Sequence, residues 1–274
     1  MDKYAVFGNP ISHSKSPAIH TQFAQQTTQL LSYEAICAPV DKFKETVMSF
    51  LAEGGKGLNV TVPFKEDAWH VAKVRSERAE LAGAVNTLYL NDEGLLCGEN
   101  TDGVGMVRDI QENYGYSIVG KKVLVLGAGG AVRGVMKPVL EQNPSEVVIA
   151  NRTVAKAQTL AELFSPFGNV RASSLDTLCG PFDLIINGTA ASLQGEMPVL
   201  PQGMVHSQSW CYDMMYSAQP TVFNRWASSE GACRQLDGLG MLVEQAAESF
   251  YIWRGVRPDT TSLISSLREQ ILNH

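Results

Sequence analysis

A nine-residue stretch at positions 57–65, GLNVTVPFK, places an amide, a hydroxyl and an ammonium at positions of one parity, namely Asn59, Thr61 and Lys65. The intervening positions 58, 60 and 62 are apolar. Because alternate side chains of a strand point to the same face, the pattern predicts a strand with one apolar and one polar face, ended by Pro63. An ammonium at the end of the polar face could stabilise negative charge on an oxygen and supply a proton.

Three further polar clusters in the N-terminal half have side chains suited to binding or proton transfer. They are SHSKSP with Ser14 and Ser16, AVNT with Asn86, and NTDG with Asp102. Taken singly, each is better explained by local structure, with Ser16 as the N-cap of a helix that has Pro17 in its first turn, and the others as turns. A chemical role therefore requires that the fold bring them together.

A glycine-rich segment, KVLVLGAGGAVRG, places Gly127, Gly129 and Gly130 directly after a predicted strand and before a predicted helix. In this context the absent side chains let the backbone approach a pyrophosphate, and the free amides of the helix start favour its charge. Val132 occupies the third glycine position of the dinucleotide fingerprint. From these residues alone, a glycine turn of an α/β domain without a nucleotide is the alternative interpretation.

The next predicted strand, EVVIAN, ends about two dozen residues beyond Gly127, where NAD-binding proteins present an acid to the ribose 2′-hydroxyl. This chain has Asn151, Arg152 and Thr153 there, with Lys156 one turn later. A guanidinium and a hydroxyl can donate to a 2′-phosphate, which an acid would repel. The segment therefore favours NADP over NAD.

Predicted strands and helices alternate along the whole chain, which indicates an α/β protein of two domains. After about residue 102 the strands become short and wholly apolar, as in KVLVLG, EVVIAN, FDLIING and SWCYDM, which is typical of a parallel sheet covered on both faces. We predict an N-terminal α/β domain over residues 1–102 and a Rossmann-type doubly wound parallel sheet over residues 103–240. The helical segments of residues 241–274 carry wide apolar faces, and pattern alone does not assign them to either half.

Composition excludes several other classes of protein. The net charge is −6, from 22 basic and 28 acidic residues without a dense basic block, which argues against nucleic acid as a partner. No apolar run approaches the length of a membrane span, and the start MDKYAVFGNP lacks the layout of a signal peptide, so we expect a cytoplasmic protein. Five scattered cysteines and five dispersed histidines suggest neither disulfides nor a metal site.

Taken together and in order, the motifs closely resemble the shikimate dehydrogenase family, NADP-dependent enzymes of aromatic amino-acid biosynthesis. The similarity runs almost end to end through FGNPISHSKSP, GGKGLNVTVPFKE, LAGAVNTL, NTDGVG, GAGGAVRG, NRT, YDMMY and DGLGMLVEQAA. It implies reversible hydride transfer between NADPH and the ring ketone of 3-dehydroshikimate, giving shikimate. It also implies that residues 1–102 and 241–274 form a substrate domain, that residues 103–240 form the NADP domain, and that the site is the cleft between them.

The resemblance implies roles for individual residues. Lys65 and Asp102 would be the catalytic pair, and because they would titrate together, the sequence leaves open which of them holds the moving proton. Ser14 and Ser16 would bind the substrate carboxylate. The residues expected to bind the ring hydroxyls or complete the pocket are Asn59, Thr61, Asn86, Tyr216 and Gln245.

On the cofactor side the resemblance implies contacts from the glycine-rich turn, the end of the next strand and several later loops. The predicted residues are Glu77, Gly127, Ala128, Gly129, Gly130, Ala131, Asn151, Arg152, Thr153, Lys156, Thr189, Met214 and Gly238. One segment departs from the family pattern. Where the family commonly has Asn-Ala-Thr followed by small hydroxyl residues, this chain has NGTAAS, with Gly188, Ala190, Ala191 and Ser192, so Thr189 alone is kept as a candidate.

Two other functions fit the same motifs. One is a quinate/shikimate dehydrogenase with broader substrate or NAD use, and Arg152 in place of an acid argues against the use of NAD. The other is a non-catalytic NADP-binding sensor, against which the presence of both Lys65 and Asp102 argues. We expect a small-molecule substrate, no membrane or nucleic-acid partner, and a monomer or homodimer.

Overall fold

Two six-stranded sheets organise the computed structural model, which describes residues 1–189, 191 and 195–273. One sheet lies in a unit made of Met1–Gly105 and Val243–Leu263, and the other in a unit made of Met106–Leu242 and the residues from Ile264 onward. Each unit has its own sheet and its own buried apolar core, and each is therefore described separately.

The sheet of the first unit is mixed. Its strands are β1 (Asp2–Gly8), β2 (Leu31–Cys37), β3 (Gly55–Val60), β4 (Val74–Arg75), β5 (Thr87–Leu90) and β6 (Leu96–Glu99). They lie in the order β2-β1-β3-β5-β6-β4. Strand β1 runs parallel to β2 and β3, whereas β5 runs antiparallel to β3 and β6. The carboxyl end of β3 therefore lies beside the start of β5, which joins the motif of Asn59 to that of Asn86.

The sheet of the second unit is parallel. Its strands are β7 (Lys122–Leu126), β8 (Glu146–Ala150), β9 (Val170–Ser173), β10 (Leu184–Asn187), β11 (Trp210–Asp213) and β12 (Arg234–Asp237). They lie in the order β12-β11-β10-β7-β8-β9, which is the doubly wound order with its switch point between β7 and β10. The predicted Rossmann-type sheet is confirmed. Strands β9 and β12, which the apolar pattern did not reveal, lie at the two edges, where a strand can carry polar residues such as Arg171 and Arg234.

Helices connect the strands of both units. They are α1 (Ser16–Gln26), α2 (Phe43–Ala52), α3 (Lys65–Val71), α4 (Glu77–Ala82), α5 (Asp102–Arg108), α6 (Gly130–Leu140), α7 (Val154–Phe164), α8 (Val222–Ser229), α9 (Leu239–Arg254) and α10 (Thr261–Leu272). Short 3-10 turns span Val40–Lys42 and Ser165–Phe167, and a π-helical turn spans Asp109–Asn113. Helix α2 shows how the sequence specifies such an element, because Phe43, Val47 and Phe50 recur at helical spacing and are buried against the first sheet.

Two local predictions in the first unit are wrong. The strand expected to continue until Pro63 ends at Val60 instead, and Val62 is 69% exposed. Lys65, expected just beyond the end of that strand, begins helix α3. Ser16 does not cap helix α1, because the helix already includes it and Lys15 holds the N-cap position. Instead the hydroxyl of Ser14 accepts a hydrogen bond from the backbone N–H of Ser16, at 3.3 Å.

Helix α1 buries an unusual polar residue, His20, whose side chain is 1% exposed. Its ring stacks on Tyr33 with a centroid distance of 4.3 Å and also contacts Phe250 and Trp253. Among the residues that the structure describes, neither ring nitrogen has a hydrogen-bond partner. Burial lowers the pKa of His20 to about 3, although the nearby Asn59 acts in the opposite direction.

Lowering the pH from 7 to 5 is expected to cost the folded protein about 2 kcal/mol through His20 alone. The unfolded chain binds a proton at His20 as the pH falls through its ordinary value of 6.5, whereas the folded chain does not until the pH is about 3. The free energy of unfolding therefore does not depend on His20 titration well above pH 6.5. It decreases as the pH falls from 6.5 towards 3, because only the unfolded chain binds the proton in that range. Urea unfolding of the wild type and His20→Leu at both pH values measures this effect. The variant should lose about 2 kcal/mol less than the wild type, and equal losses would contradict the prediction.

Across the described ranges, the structure has no helix that is both long enough and apolar enough to cross a bilayer.

Candidate active site

The ammonium of Lys65 and the carboxylate of Asp102 form an ion pair with an Nζ–Oδ2 distance of 2.6 Å. Lys65 is the first residue of α3, and Asp102 is the first residue of α5. The Lys65 side chain remains 31% exposed and the Asp102 side chain 15%, so the pair is open to a small molecule. Two residues 37 positions apart in the sequence are thus brought into direct contact.

Asn86 holds the second oxygen of this carboxylate. Its Nδ2 donates to Asp102 Oδ1 at 2.8 Å, and its Oδ1 accepts from the backbone N–H of Thr101 at 3.0 Å. The backbone N–H of Asp102 in turn donates to Asn100 Oδ1 at 3.1 Å. A carboxylate held on both oxygens has a fixed orientation, which in turn fixes the direction of the Lys65 ammonium.

Asn59 is almost completely buried, and each of its polar atoms has a partner in the protein. Its Oδ1 accepts from the Tyr33 hydroxyl at 2.7 Å. Its Nδ2 lies within hydrogen-bond distance of Asn86 O, Thr87 Oγ1 and Ser249 Oγ. Both faces of β3 are therefore covered, one by the apolar core and the other by a polar cluster.

The predicted residue Gln245 joins the same cluster from helix α9. Its Oε1 accepts from Asn86 Nδ2 at 3.3 Å and from Thr101 Oγ1 at 3.5 Å. Five predicted site residues are therefore linked by hydrogen bonds within the first unit, and they are Asn59, Lys65, Asn86, Asp102 and Gln245.

Sequence reasoning missed four hydroxyl residues that complete this cluster, namely Tyr33, Thr87, Thr101 and Ser249. Thr87 and Thr101 stand inside the motifs AVNT and NTDG, so their position beside Asn86 and Asp102 was an available signal. Ser249 follows Gln245 by one helical turn, which places both on one face of α9. Nothing in the sequence pattern indicated Tyr33.

Ser14, Ser16 and Thr61 lie at the ends of elements in the same unit and are partly exposed. Ser14 and Ser16 stand at the N-terminus of the 11-residue helix α1, where the helix dipole favours an anion. Ser16 also lies close enough to the Tyr33 hydroxyl to lower its pKa against the larger effect of burial. The backbone N–H of Thr61 donates to Phe7 O at 2.9 Å and fixes the turn after β3. The start of α1 thus reaches the polar cluster through Tyr33.

In the second unit, the predicted glycine turn connects β7 to α6 at the switch point of the sheet. Gly127 has a φ of +105°, a conformation that residues with a side chain rarely adopt. A Cβ placed on Gly129 or Gly130 would meet nothing within 4 Å, so the backbone at the start of α6 is open to a ligand. Ala128 and Ala131 belong to the same turn, and Ala131 is exposed.

A cavity of about 520 Å³ opens next to this turn. Its lining includes Gly127, Ala150, Asn151, Arg152, Leu175, Thr189, Ala191, Glu196, Met197, Pro198 and Val199. Arg152, Thr153 and Lys156 are exposed at the end of β8, and Asn151 Nδ2 donates to Thr153 O at 3.0 Å. An open glycine turn, a cavity and a cationic strand end together fit a dinucleotide that carries a 2′-phosphate.

Ala191, which was not predicted, lines this cavity, whereas Ala190 and Ser192 lie outside the described residues.

Asn187 holds two residues that follow β10 and β11, namely Thr189 and Met214. Its Oδ1 accepts from both the backbone N–H and the hydroxyl of Thr189, and its backbone carbonyl accepts from Met214 N–H at 2.9 Å. Its Nδ2 donates to Asp213 Oδ1 at 3.1 Å. Thr189 and Met214 are thereby held at the carboxyl ends of the adjacent strands β10 and β11. Gly238 lies at the carboxyl end of the next strand, β12. This edge of a parallel sheet is where ligands bind in doubly wound folds.

Val132 and Gly188 both depart from the expected motifs, and the larger side chain at one position occupies the space left by the smaller residue at the other. Val132 occupies a position where the fingerprint has glycine, and Gly188 one where the family commonly has alanine. A Cβ on Gly188 would lie 2.5 Å from Val132 Cγ2 and 3.0 Å from Met214 Sδ. The larger side chain on α6 therefore uses the space that the glycine after β10 leaves free.

Gly188→Ala is therefore expected to lower the free energy of unfolding by about 1–3 kcal/mol, the usual cost of overpacking a filled site. Val132→Ala in the same chain should restore most of this loss, because it removes the atom that the new Cβ meets. Denaturant unfolding of the two single variants and the double variant gives their coupling. If the losses in free energy simply add, the two positions do not compensate.

Tyr216 and Glu77 complete the set of predicted site residues. Tyr216 is partly exposed in the second unit, and burial raises the pKa of its hydroxyl, with Asp237 acting in the same direction. The hydroxyl is therefore protonated at neutral pH and can donate a hydrogen bond. Glu77 is exposed at the start of α4 in the first unit.

Comparison with known protein families gives three matches along the chain. Residues 6–88 match the family described as shikimate dehydrogenase substrate binding domain. Residues 109–212 match shikimate / quinate 5-dehydrogenase, and residues 238–268 match the shikimate 5'-dehydrogenase C-terminal domain.

The chain is also similar over almost its whole length to individual proteins of known sequence or structure. The chain is 60% identical over 269 residues to the shikimate dehydrogenase (NADP(+)) of Hahella chejuensis, covering 98% of this chain and 99% of that protein. Among solved structures, an Ael1 enzyme from Pseudomonas putida is 48% identical with a TM-score of 0.93, and covers 97% of this chain and 98% of its own. Shikimate 5-dehydrogenase of Thermus thermophilus in complex with NADP(H) and shikimate is 32% identical with a TM-score of 0.86, covering 98% and 99%.

Proposed function

The chain belongs to the shikimate dehydrogenase family, and from this membership we propose that it catalyses the reversible, NADP-dependent interconversion of 3-dehydroshikimate and shikimate. The observation that carries the proposal is the Lys65–Asp102 ion pair, 2.6 Å long and accessible to a small molecule. A protein that only bound NADP would have no need of such a pair beside a cluster of polar side chains.

Reduction of the ring ketone adds a hydride to the carbonyl carbon and a proton to its oxygen. NADPH, when bound, would supply the hydride in this direction. The ammonium of Lys65 stabilises the negative charge that develops on the oxygen, and the Lys65–Asp102 pair delivers the proton. Asp102 also holds the ammonium in the direction set by Asn86. Loss of either charged group should therefore reduce turnover more than binding.

Substrate binding is proposed to divide between the two ends of the shikimate molecule. Ser14 and Ser16, at the start of α1, suit its carboxylate because two hydroxyls stand there at the positive end of the helix dipole. Asn59, Thr61, Asn86 and Gln245, which belong to the same unit as the ion pair, are proposed to bind its ring hydroxyls, directly or by completing the pocket. Tyr216 of the second unit is proposed for the same role.

The glycine turn and the end of β8 are proposed to hold the cofactor. The backbone of residues 127–131 would bind the pyrophosphate, whereas Asn151, Arg152, Thr153 and Lys156 would bind the 2′-phosphate. Thr189, Met214 and Gly238 stand at the carboxyl ends of β10 to β12 and would contact the nicotinamide half. Glu77 is retained as a weaker candidate.

Oxidation of shikimate with NADP⁺, followed as absorbance at 340 nm, tests the proposed activity directly. We expect turnover with shikimate and NADP⁺, a lower kcat/KM with quinate, and a lower kcat/KM with NAD⁺. Comparable values for quinate or NAD⁺ would favour the broader quinate/shikimate activity. Binding of NADP⁺ without turnover of either acid would favour a sensor.

We also propose that the protein acts in the cytoplasm, as a monomer or homodimer, on a freely diffusing substrate. Its five cysteines, of which Cys97 and Cys211 are buried, are all free thiols, as is usual in a reducing compartment.

A further inference from the structure

We propose that two buried hydroxyls, those of Thr87 and Ser249, are positioning residues for the reaction: they hold the side chains of Asn59 and Asn86 in place and, through Asn86, the carboxylate of Asp102. Neither side chain is exposed to solvent, so neither can touch a substrate. The inference rests on the proposed function, because it concerns the residues that hold the Lys65–Asp102 pair.

The orientation of the Asn86 amide is fixed by two groups that can each act in only one way. The backbone N–H of Thr101 can only donate, and it lies 3.0 Å from Asn86 Oδ1. The Asp102 carboxylate accepts, and it lies 2.8 Å from Asn86 Nδ2. An inverted amide would place its oxygen against the carboxylate and its NH₂ against an N–H, so both bonds would become repulsive.

Thr87 supplies the next contact. Its hydroxyl donates to Asn86 Oδ1 at 2.9 Å, which reinforces the same orientation. A threonine hydroxyl has one hydrogen, and once it is used in this bond, Ser249 must be the donor in the 2.7 Å contact between Ser249 Oγ and Thr87 Oγ1. The direction of hydrogen bonding is then the same from Ser249 through Thr87 to Asn86.

Ser249 is the point where the cluster converges. Its Oγ accepts from Asn59 Nδ2 at 3.0 Å and lies 3.4 Å from Thr101 Oγ1. The backbone carbonyl of Gln245, 3.1 Å away, competes with Thr87 for the single hydrogen of Ser249, and the shorter 2.7 Å contact favours Thr87. Asn59 is held at its other end by the Tyr33 hydroxyl, whose pKa burial raises well above its ordinary value, so that it remains a donor. A continuous set of hydrogen bonds thus runs from Tyr33 through Asn59, Ser249, Thr87 and Asn86 to Asp102.

This arrangement has a functional consequence because a carboxylate that rotates would turn the Lys65 ammonium away from the substrate oxygen. Misplacement of a reacting group by about 1 Å can cost up to two orders of magnitude in rate. A hydroxyl removed from the cluster should therefore act mainly on kcat, even though it contacts neither the substrate nor Lys65.

Two substitutions at Thr87 separate the hydroxyl from the methyl group. Thr87→Val keeps the shape and removes the hydroxyl, whereas Thr87→Ser keeps the hydroxyl and removes the methyl. With shikimate and NADP⁺ we expect kcat of Thr87→Val to fall by about ten-fold or more, and kcat of Thr87→Ser to stay close to that of the wild type. A role in packing alone predicts the opposite order, and that order, or an unchanged Thr87→Val, would overturn the inference.

Ser249→Ala provides a second, smaller change. It should also lower kcat about ten-fold, and the Thr87→Val/Ser249→Ala double variant should lose less than the product of the two single losses, because both act on the same amide groups. Losses that multiply as for independent sites would contradict a shared network. Val47→Ala, in the apolar core of the same unit, controls for stability, and it should lower the thermal midpoint without lowering kcat.

The same measurements distinguish this inference from the proposed function. A wild type that does not oxidise shikimate with NADP⁺ would overturn the proposed function, and this inference with it. An active wild type combined with full activity in Thr87→Val would overturn the inference alone.

Discussion

Lys65→Ala is expected to lower kcat for shikimate oxidation by about 100-fold or more, the usual scale for losing a general acid–base group. The substitution removes both the cation that stabilises charge on the reacting oxygen and a member of the pair that transfers the proton. It also leaves the Asp102 carboxylate without the partner that lies 2.6 Å away. KM should change less than kcat, because the substrate carboxylate and ring hydroxyls have other proposed ligands. Steady-state kinetics in both directions measure the effect.

Two further variants define the role of Lys65. Lys65→Arg keeps a positive charge but replaces the ammonium by a guanidinium that does not release a proton in proteins, so it should remain strongly impaired. Lys73→Ala removes an exposed lysine of the same unit and should leave kcat unchanged. A Lys65→Ala protein with near-normal kcat would exclude the proposed role, and full activity in Lys65→Arg would show that charge alone is sufficient.

Arg152→Ala is expected to weaken NADP⁺ binding by about 10- to 100-fold while leaving NAD⁺ binding close to that of the wild type. The guanidinium is exposed at the end of β8, on the wall of the cavity beside the glycine turn. There it can form charge-assisted hydrogen bonds with a 2′-phosphate, which NAD⁺ lacks. Calorimetric titration of each dinucleotide measures binding without turnover, and kcat/KM for both cofactors measures the change in selectivity.

The matched control is Arg234→Ala, which removes an exposed arginine from the edge strand β12 of the same unit. It should leave both dissociation constants unchanged. Because the proposed contact is between charges near the surface, added salt should weaken NADP⁺ binding more in the wild type than in Arg152→Ala. Equal weakening of NADP⁺ and NAD⁺ by the substitution would assign Arg152 to a part of the cofactor that both share.

The fold of the second unit could be predicted largely from local sequence. Four central strands are continuous apolar runs because both faces of a parallel sheet are covered, and Gly127 follows the first of them where the backbone must take a positive φ. The edge strands β9 and β12 escaped prediction because an edge need not be apolar. The end of β3 at Val60 also escaped it, since alternation continues in the sequence after the hydrogen-bonded ladder has stopped.

The sequence by itself determined which functional groups this protein has. They are a lysine and an aspartate in separate motifs, a glycine turn before a helix, and an arginine at the strand end where NAD-binding proteins have an acid. These are properties of residue type and short spacing, which local backbone geometry carries directly. Only the tertiary structure decided that Lys65 meets Asp102, that Val132 fits because position 188 is glycine, and that Ser249 lies 3.0 Å from Asn59 across 190 positions of sequence. A buried polar atom takes its hydrogen-bond partner from whichever element packs against it, and that choice depends on how the strands and helices assemble rather than on the residues next to it in the chain.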